Sequence, residues 1–398
     1  MLSLLPASSK ARKNKSNAAC YLIKRCVVKL RRASKSKCNI FSTMPATTIR
    51  VPENLTAFTV FPFCRVLQSQ RPTEELIFDF SQTKTVEPFG MLVAASEIKR
   101  CVAAHPEAKF TCKNYQRMPY AGHMGFFKAF GLDFGRKPGE AFGSRNYIPL
   151  TYFNSLNLTH DAKREGLDVG DVVELHSRRL SQTLAGADEG DLFETLSYSI
   201  REIMRNVVEH AHVEEFGVCA QYWPTKGRAE VAIVDRGIGL RESIKANPHI
   251  DASTDKSAIN YALMPAVSGK AFKGARSLQK RGPWTNSGFG LYLTSRICRN
   301  GGNFFICSGD TGMLLTSGRD SKRYIETSFS GAAVRLNIRT ENLDSLRDAL
   351  ARYRADGFEI QQKYKEIVQI DPSSASLMLS QDFDLSLWNK LLTNLKLR

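Results

Sequence analysis

Three segments that follow one another in a fixed order constrain the fold of this chain most. The first, "LFETLSYSIREIMRNVVEHA", carries apolar residues at helical spacing from Leu192 to Val207 and is predicted to be a helix. The adjoining face of that helix carries four polar residues at i, i+4, i+7 and i+8: Glu202, Asn206, Glu209 and His210. Such a row is typical of either a ligand site or a plain solvated face.

The other two segments combine glycines with the end of a strand or the start of a helix. "VAIVDRGIGL" ends a predicted strand at Asp235 and continues into Gly237 and Gly239, where the backbone can turn closely around a ligand. "NSGFGLYL" places Gly288 and Gly290 just before a predicted helix, whose free N–H groups favour an anion. Each pattern alone also occurs in purely structural turns. The three together indicate one ligand site.

The segments resemble the boxes of a known superfamily. "EIMRN", "DRGIG" and "GFGLYL" are similar to the ExxxN, DxGxG and GxGLxL boxes of the Bergerat-fold ATPases, which include gyrase B, MutL, heat-shock chaperone ATPases, histidine kinases and anti-sigma-factor serine kinases. The resemblance covers residues 191–340 and is closest to the serine kinases. It implies an ATP-binding, two-layer α/β sandwich with a mixed sheet.

The resemblance also implies a role for each matching residue. Asn206 would bind Mg²⁺ through its side-chain oxygen, and Asp235 would accept a hydrogen bond from the adenine amine. The glycines would let the backbone approach the nucleotide: Gly237, Gly239, Gly288 and Gly290. Residues 241–287 resemble a nucleotide lid, with cations that could face the phosphates or simply be exposed: Lys270, Lys273, Arg276, Lys280 and Arg281.

Glu202 is the residue that bears on the reaction. A carboxylate four residues before the metal-binding asparagine could act as a general base beside the γ-phosphate, as in the hydrolytic members and the serine kinases. Glu209 resembles the acidic residue of the gyrase branch. His210, four residues after Asn206, resembles the histidine of the NxxxH pattern in the serine kinases, so the subfamily stays open. The last box of the family normally reads Gly-Thr, but here Gly331 is followed by Ala332, and Ser330 is the available replacement.

The amino-terminal region resembles a second family. "LIFDFSQTKTVEPFGMLVAASEIKRCV" is similar to the STAS domains of anti-anti-sigma factors, which carry a phosphorylatable serine just before the helix. Residues 87–90 read Glu-Pro-Phe-Gly, without a hydroxyl at that position. Ser81, Thr83 and Thr85 are nearby hydroxyls, but such residues usually cap turns. Phosphorylation of the chain at the usual STAS position is therefore not expected.

These patterns predict an α/β (α+β) chain of five parts. They are a basic, disordered tail (1–43), a STAS-like α/β domain (44–155), a connecting region (156–190), a histidine-kinase-like ATP-binding domain (191–340) and a helical extension (341–398). Strands are predicted in 48–55, 76–83 and 108–114, and helices in 91–105, 119–132, 172–184 and 191–212. Two strands (217–223 and 229–235), a helix from Gly290 and four short hairpin strands between 303 and 338 complete the second domain.

Charge, cysteine and hydropathy patterns limit the partners. Of 56 Lys and Arg residues, eleven lie in residues 1–43, which contain no Asp or Glu, leaving 45 basic against 39 acidic residues elsewhere. Nucleic-acid contact is therefore expected through the tail only. The nine cysteines form no CxxC pair, so reduced, buried thiols and a cytoplasmic location are expected. No apolar run reaches about 18 residues, which predicts no membrane span.

The resulting hypothesis is a Mg²⁺-dependent ATP-binding regulatory protein. It would hydrolyse ATP or transfer phosphate to a protein hydroxyl, as the serine kinases do, and would signal to a protein partner through the STAS-like domain. Two alternatives stay open: a dimeric ATP-operated clamp on nucleic acid, and a nucleotide-sensing scaffold without turnover. The partner and the oligomeric state, including a homodimer, are not determined by these patterns.

Overall fold

The computed structural model describes residues 46–141, 145–248, 250–269, 288–317, 321–343 and 345–365. The basic tail 1–43, the predicted lid cation Lys270 and most of the predicted carboxy-terminal extension therefore lie outside the described residues. Within the described residues the chain is mixed α/β. No helix among them is long and apolar enough to cross a membrane.

The first part of the chain contains a small parallel sheet. Its strands pair in the order β1 (Thr47–Arg50), β3 (Glu75–Asp79) and β5 (Lys109–Lys113), and β2 (Asn54–Leu55) pairs separately with β4 (Thr85–Val86). The helices of this part are α1 (Val60–Gln68), α2 (Pro88–Ala104), α3 (Pro119–His123) and α4 (Phe126–Ala129). The predicted strands that became β3 and β5, and the predicted helix that became α2, are confirmed.

Two features of this part differ from the sequence predictions. The single helix predicted over 119–132 is wrong, because the chain breaks at Gly125, which has a φ of 83° and separates α3 from α4. Helix α1 was not predicted at all. Its proline, Pro62, lies in the first turn, where the missing N–H leaves no intrahelical bond unmade.

The second part contains a five-stranded sheet. The strands pair in the order β6 (Tyr147–Asn154), β7 (Glu215–Trp223), β8 (Arg228–Asp235), β10 (Lys322–Arg339) and β9 (Asn303–Thr316). Every pair is antiparallel, so the mixed sheet implied by the family resemblance is wrong for the described residues. Strand β6 lies within the predicted first domain in sequence, yet it pairs with β7 at the edge of this sheet.

The four short strands predicted between 303 and 338 are two long ones. Strands β9 and β10 form one hairpin, and the glycines at 309 and 312 fall inside β9 instead of ending it. Register shifts between Glu326, Phe329 and Ala332 absorb the irregular stretch. Glycine signals in a strand interior can mark such bulges as well as turns, which is why the prediction failed.

The helices of the second part surround one face of the sheet. They are α5 (Ser155–Glu165), α6 (Val169–Ala185), α7 (Asp191–Asn206), α8 (Gly239–Lys245), α9 (Asp255–Ala262), α10 (Gly290–Arg299) and α11 (Leu346–Lys365). The helix predicted over 191–212 is α-helical only to Asn206. Residues Val207–Ala211 continue it as a π-helical turn, and His212 ends it with a φ of 52°.

The five-stranded sheet is buried on both faces. Along β8, Val231 and Ile233 belong to the core shared with α7 and α10, whereas Ala232 and Val234 belong to the core shared with the first part of the chain. Helix α2 packs against β7 and β8 on that second face. The near-continuous apolar run "VAIV" is typical of a strand buried on both faces.

Candidate functional site

A cavity opens on the α7 face of the five-stranded sheet, next to the end of that helix. It has about 940 Å³ of empty space, part of which is open to solvent. Apolar side chains make up half of the residues that line it. Among the predicted site residues, the following line it: Glu202, Asn206, Asp235, Gly239, Gly288 and Gly290. Gly237 supports the cavity wall instead of lining it. Three segments that are distant in sequence therefore meet at one cavity.

Asp235 ends strand β8 with its carboxyl buried. The side chain is only 4% exposed, and its Oδ1 accepts a hydrogen bond from the Gly237 N–H at 2.8 Å. Burial raises the pKa of this carboxyl to about 6, although hydrogen bonds from the Gly237 and Ala332 amides oppose the rise. A buried carboxyl at the cavity wall is suited to accept hydrogen bonds from a polar ligand.

Gly237 is required by a close backbone approach. A Cβ at this position would lie 1.9 Å from the carbonyl oxygen of Ala211, at the end of the π-helical turn. The same oxygen accepts a hydrogen bond from the Ile238 N–H at 2.9 Å. The turn after Asp235 is thus joined directly to the end of the helix that carries Glu202 and Asn206.

Asn206 is the last residue of α7. Its side-chain Nδ2 is buried and has no hydrogen-bond partner among the described residues. A buried polar group without a partner costs about 1–3 kcal/mol, and a ligand, an ion or an ordered water at the cavity would remove that cost. A half-turn of the amide would present the oxygen instead of the nitrogen to the same space.

Glu202 is held by its neighbour in the chain. The Arg201 guanidinium donates to Glu202 Oε1 from Nη2 at 2.8 Å and from Nε at 3.1 Å. Its third nitrogen donates to Glu174 on α6 at 3.0 Å. Glu202 Oε2 lies against the first turn of α10, only 2.3 Å from the position that a Cβ on Gly290 would occupy. Gly290 therefore makes room for this carboxylate.

Glu209 and His210 have different surroundings. His210 lines the cavity, whereas Glu209 is absent from the lining and pairs with Arg205 at 2.5 Å. In the π-helical turn the hydrogen bonds run from i to i+5, so positions 209 and 210 do not keep the spacing from Asn206 that an α-helix would give them. The histidine is therefore the member of this pair that could contact a ligand.

The predicted lid contains two helices, α8 and α9, in its described part. Beyond them, a Cβ on Gly269 would lie 2.1 Å from the carbonyl oxygen of Ser243, so this segment packs tightly on α8. Gly288 has a φ of 71° and packs against Ala266 and Val267. Gly269 and Gly288 both line the cavity. The predicted lid cations lie outside the described residues: Lys270, Lys273, Arg276, Lys280 and Arg281.

Ser308 lies behind the cavity wall, hydrogen-bonded to the lining residue Leu240, and the sequence did not indicate it. Its buried hydroxyl donates to the Gly331 carbonyl at 2.7 Å and accepts from the Leu240 N–H at 3.0 Å. It is paired across the sheet with Ala332, the residue after Gly331. Ser330, the replacement considered from sequence, is exposed. Only strand register, which the sequence does not reveal, brings Ser308 to this place.

Two hydroxyls before helix α2, considered above as possible acceptors, have structural partners. Ser81 donates to Asp79 at 2.9 Å, and the buried Thr83 donates to the Val51 carbonyl at 3.4 Å. Glu87, at the start of α2, pairs with Arg228 of β8 at 2.9 Å. The start of α2 is therefore packed against the five-stranded sheet.

The protein groups available to a metal are few. Among the described residues no three His, Cys, Asp or Glu side chains cluster in a way that could hold a metal ion. A cation near Asn206 would thus take most of its ligands from a bound molecule and from water, which suits Mg²⁺ with phosphates. The Asn206 Nδ2 group, a hydrogen-bond donor, fits a phosphate oxygen, and the same side chain fits Mg²⁺ when its amide is turned to present the oxygen.

Comparison with known proteins gives no relative. No family model matches the chain, and neither the curated proteins nor the solved structures contain a match.

Proposed function

We propose that this protein is a Mg²⁺-dependent, ATP-binding regulator that combines a Bergerat-type nucleotide site with a STAS-like domain. The strongest support is the meeting, at one cavity, of three groups: the buried Nδ2 of Asn206, which has no hydrogen-bond partner among the described residues, the buried Asp235 carboxyl and the glycine at 290. Partly open cavities with apolar walls and a few convergent polar groups are typical of small-molecule sites.

The residues at the cavity have complementary tasks in this proposal. Asp235 accepts a hydrogen bond from the adenine amine, and Gly239 and Gly288 allow the backbone to approach the nucleotide. Asn206 supplies a protein ligand to Mg²⁺, and His210 lies on the same stretch of helix. When bound, ATP supplies the phosphoryl group and Mg²⁺ neutralises its charge.

Glu202 is the proposed general base. Its Oε1 accepts two hydrogen bonds from Arg201. No described residue donates a hydrogen bond to Oε2, which faces the first turn of α10. Oε2 would take the proton from water in hydrolysis, or from a hydroxyl of a partner protein in phosphoryl transfer. Since residues 87–90 carry no hydroxyl, the usual STAS acceptor position of this chain is not the substrate.

A nucleotide sensor without turnover is the second candidate. Two hydrogen bonds from Arg201 to Glu202 Oε1 favour it, because a carboxylate engaged by a guanidinium has less freedom to follow a proton transfer. Both candidates require ATP binding, and they differ only in whether phosphate is released or transferred.

Equilibrium binding tests the proposal. The full chain is titrated with ATP and with GTP, each with Mg²⁺ and with a chelator. We expect binding that needs Mg²⁺ and prefers ATP over GTP. Equal affinities for ATP and GTP, unchanged by the chelator, would reject the proposal. Incubation with labelled ATP and candidate partner proteins then distinguishes phosphoryl transfer from hydrolysis, and a pull-down in ATP against ADP identifies the partner.

A further inference from the structure

The two residues at the end of strand β8 project to opposite faces of the five-stranded sheet. Asp235 lines the cavity, whereas the next residue, Arg236, reaches helix α2 on the other face. The Arg236 guanidinium lies 2.7 Å from a carboxylate oxygen of Glu97 and donates to the Ser96 hydroxyl at 2.8 Å. One turn thus connects the cavity to the first part of the chain.

The Arg236 contact with α2 is largely shielded from water. Glu97 is fully buried, and the Arg236 side chain is 24% exposed. The guanidinium stacks 3.9 Å above the ring of Phe329 on β10. The second oxygen of Glu97 accepts from Arg100 at 3.0 Å, so the carboxylate is fixed from both sides. Moving Arg236 would leave one oxygen of the buried Glu97 carboxylate without its ion-pair partner, which is costly away from water.

Arg236 also holds the strand beside its own. It donates to the carbonyl of Ser330 at 3.1 Å, immediately before Gly331. A Cβ on Gly331 would lie 2.2 Å from the Asp235 carbonyl oxygen, so β8 and β10 are in tight contact at this point. The amide of Ala332, which hydrogen-bonds to Asp235, follows directly. The groups that orient the Asp235 carboxyl are therefore held from the α2 face.

We propose that Arg236, anchored by Glu97, is a positioning residue for Asp235, so that the docking of α2 sets the affinity and the base preference of the cavity. The effect on nucleotide binding rests on the function proposed above. The coupling is reciprocal: a nucleotide that engages Asp235 strengthens the docking of α2, and a partner that displaces α2 weakens nucleotide binding.

The variant Glu97→Gln tests this by removing the charge while keeping the side-chain shape. ATP is compared with inosine triphosphate, which lacks the exocyclic amine that Asp235 is proposed to recognise. At a temperature where the variant is folded, we expect ATP affinity to fall about fivefold or more and inosine triphosphate affinity by less than about twofold. A general loss of structure would lower both affinities together.

Glu326→Gln is the matched control. Glu326 pairs with Arg65 at 2.8 Å and so also joins the first part of the chain to β10. This pair is exposed, and Glu326 lies well before Ala332, the β10 residue that pairs with Asp235. We expect this control to leave both affinities unchanged. Ser96→Ala is a milder variant for use if Glu97→Gln folds poorly. It removes one hydrogen bond to Arg236 and should also reduce ATP affinity.

Hydrogen exchange tests the positioning without nucleotide. The N–H groups of Gly237 and Ile238 are bonded in the turn, and their exchange should be faster in Glu97→Gln and Ser96→Ala but unaltered in Glu326→Gln. Unaltered exchange would overturn the positioning role even if ATP binds. If the wild-type chain does not bind ATP but the exchange result holds, the proposed function fails and the positioning role stands.

Discussion

The guanidinium of Arg201 bridges two carboxylates, donating to Glu202 at 2.8 and 3.1 Å and to Glu174 at 3.0 Å. Glu174 belongs to helix α6, within the predicted connecting region 156–190. This region therefore helps to orient the proposed general base. The consequence can be measured as a change in turnover.

Replacing Arg201 by Met should lower kcat by about tenfold or more while KM changes little, because Glu202 loses the two hydrogen bonds that fix its orientation. Steady-state phosphate release with ATP measures both constants. Glu202→Ala serves as the benchmark: it should abolish turnover and leave ATP binding largely intact. A kcat that rises in Arg201→Met would mean that the arginine restrains the base instead of positioning it.

Replacing Asn206 by Ala should weaken ATP binding in Mg²⁺ by about tenfold or more, since charge-assisted and metal contacts are worth more than about 1 kcal/mol each. In chelator, the same substitution should have a much smaller effect, because the metal contact is absent there. Titration calorimetry in both conditions gives the comparison. Equal losses with and without Mg²⁺ would contradict the metal role of this side chain.

Without nucleotide, Asn206→Ala should be no less stable than wild type, because the buried Nδ2 of Asn206 has no hydrogen-bond partner to lose among the described residues.

The buried carboxyl of Asp235 should give the protein an unusual pH dependence. Its pKa rises from 3.8 to about 6 on folding, so the folded state binds more protons between these values. The contribution of this group therefore destabilises the folded protein as pH rises from about 4 to about 6, by up to roughly 3 kcal/mol above that range. Asp235→Asn removes this cost. We expect the variant to be more stable than wild type at pH 7 and to lose that advantage near pH 4.

Urea unfolding of both proteins across this pH range measures the difference. Nucleotide is left out, since binding to the folded state would add its own stabilisation. An advantage of the variant that stayed constant from pH 4 to 7 would mean that the Asp235 carboxyl does not titrate in this window.

Replacing Gly237 by Ala should destabilise the protein by about 3 kcal/mol or more, because the added Cβ would lie 1.9 Å from the backbone oxygen of Ala211. Thermal or urea unfolding reports the change. Gly122→Ala is the matched control: its Cβ would meet the half-buried ring of Phe134 at 2.9 Å, a side chain packed on Tyr115 and Phe127, and not a backbone carbonyl. We expect the control to lose less stability than Gly237→Ala, about 1–2 kcal/mol, because a side chain can shift where a backbone carbonyl cannot. Similar losses at both positions would contradict the close approach at Gly237.

The polar residues of the candidate site were largely predictable, because their positions follow from residue spacing within one helix or one strand. Glu202 and Asn206 share a face of α7 through the helical period alone, and Asp235 ends a strand that its apolar run predicts. Glu209 and His210 could not be separated in this way. They lie in a π-helical turn, whose wider period the residue pattern does not announce.

The two-sided burial of the sheet was not predicted. The run "VAIV" in β8 is compatible with one buried face or with two, and only the packing of α2 against β7 and β8 decides between them. The hairpin of β9 and β10 was missed for a related reason. The glycines at 309 and 312 resemble turns locally, while their pairing with distant residues of β10 keeps them in a strand.

The sequence by itself determined the order of the three segments that meet at the cavity and the polar residues and glycines that they bring there, since helical and strand periods are set by neighbours in the chain. Tertiary structure alone decided that Ser308 supports the turn near Gly331, and that Arg236 meets Glu97 behind Asp235. These contacts join residues far apart in sequence, and strand register and helix docking, which no local pattern encodes, bring them together.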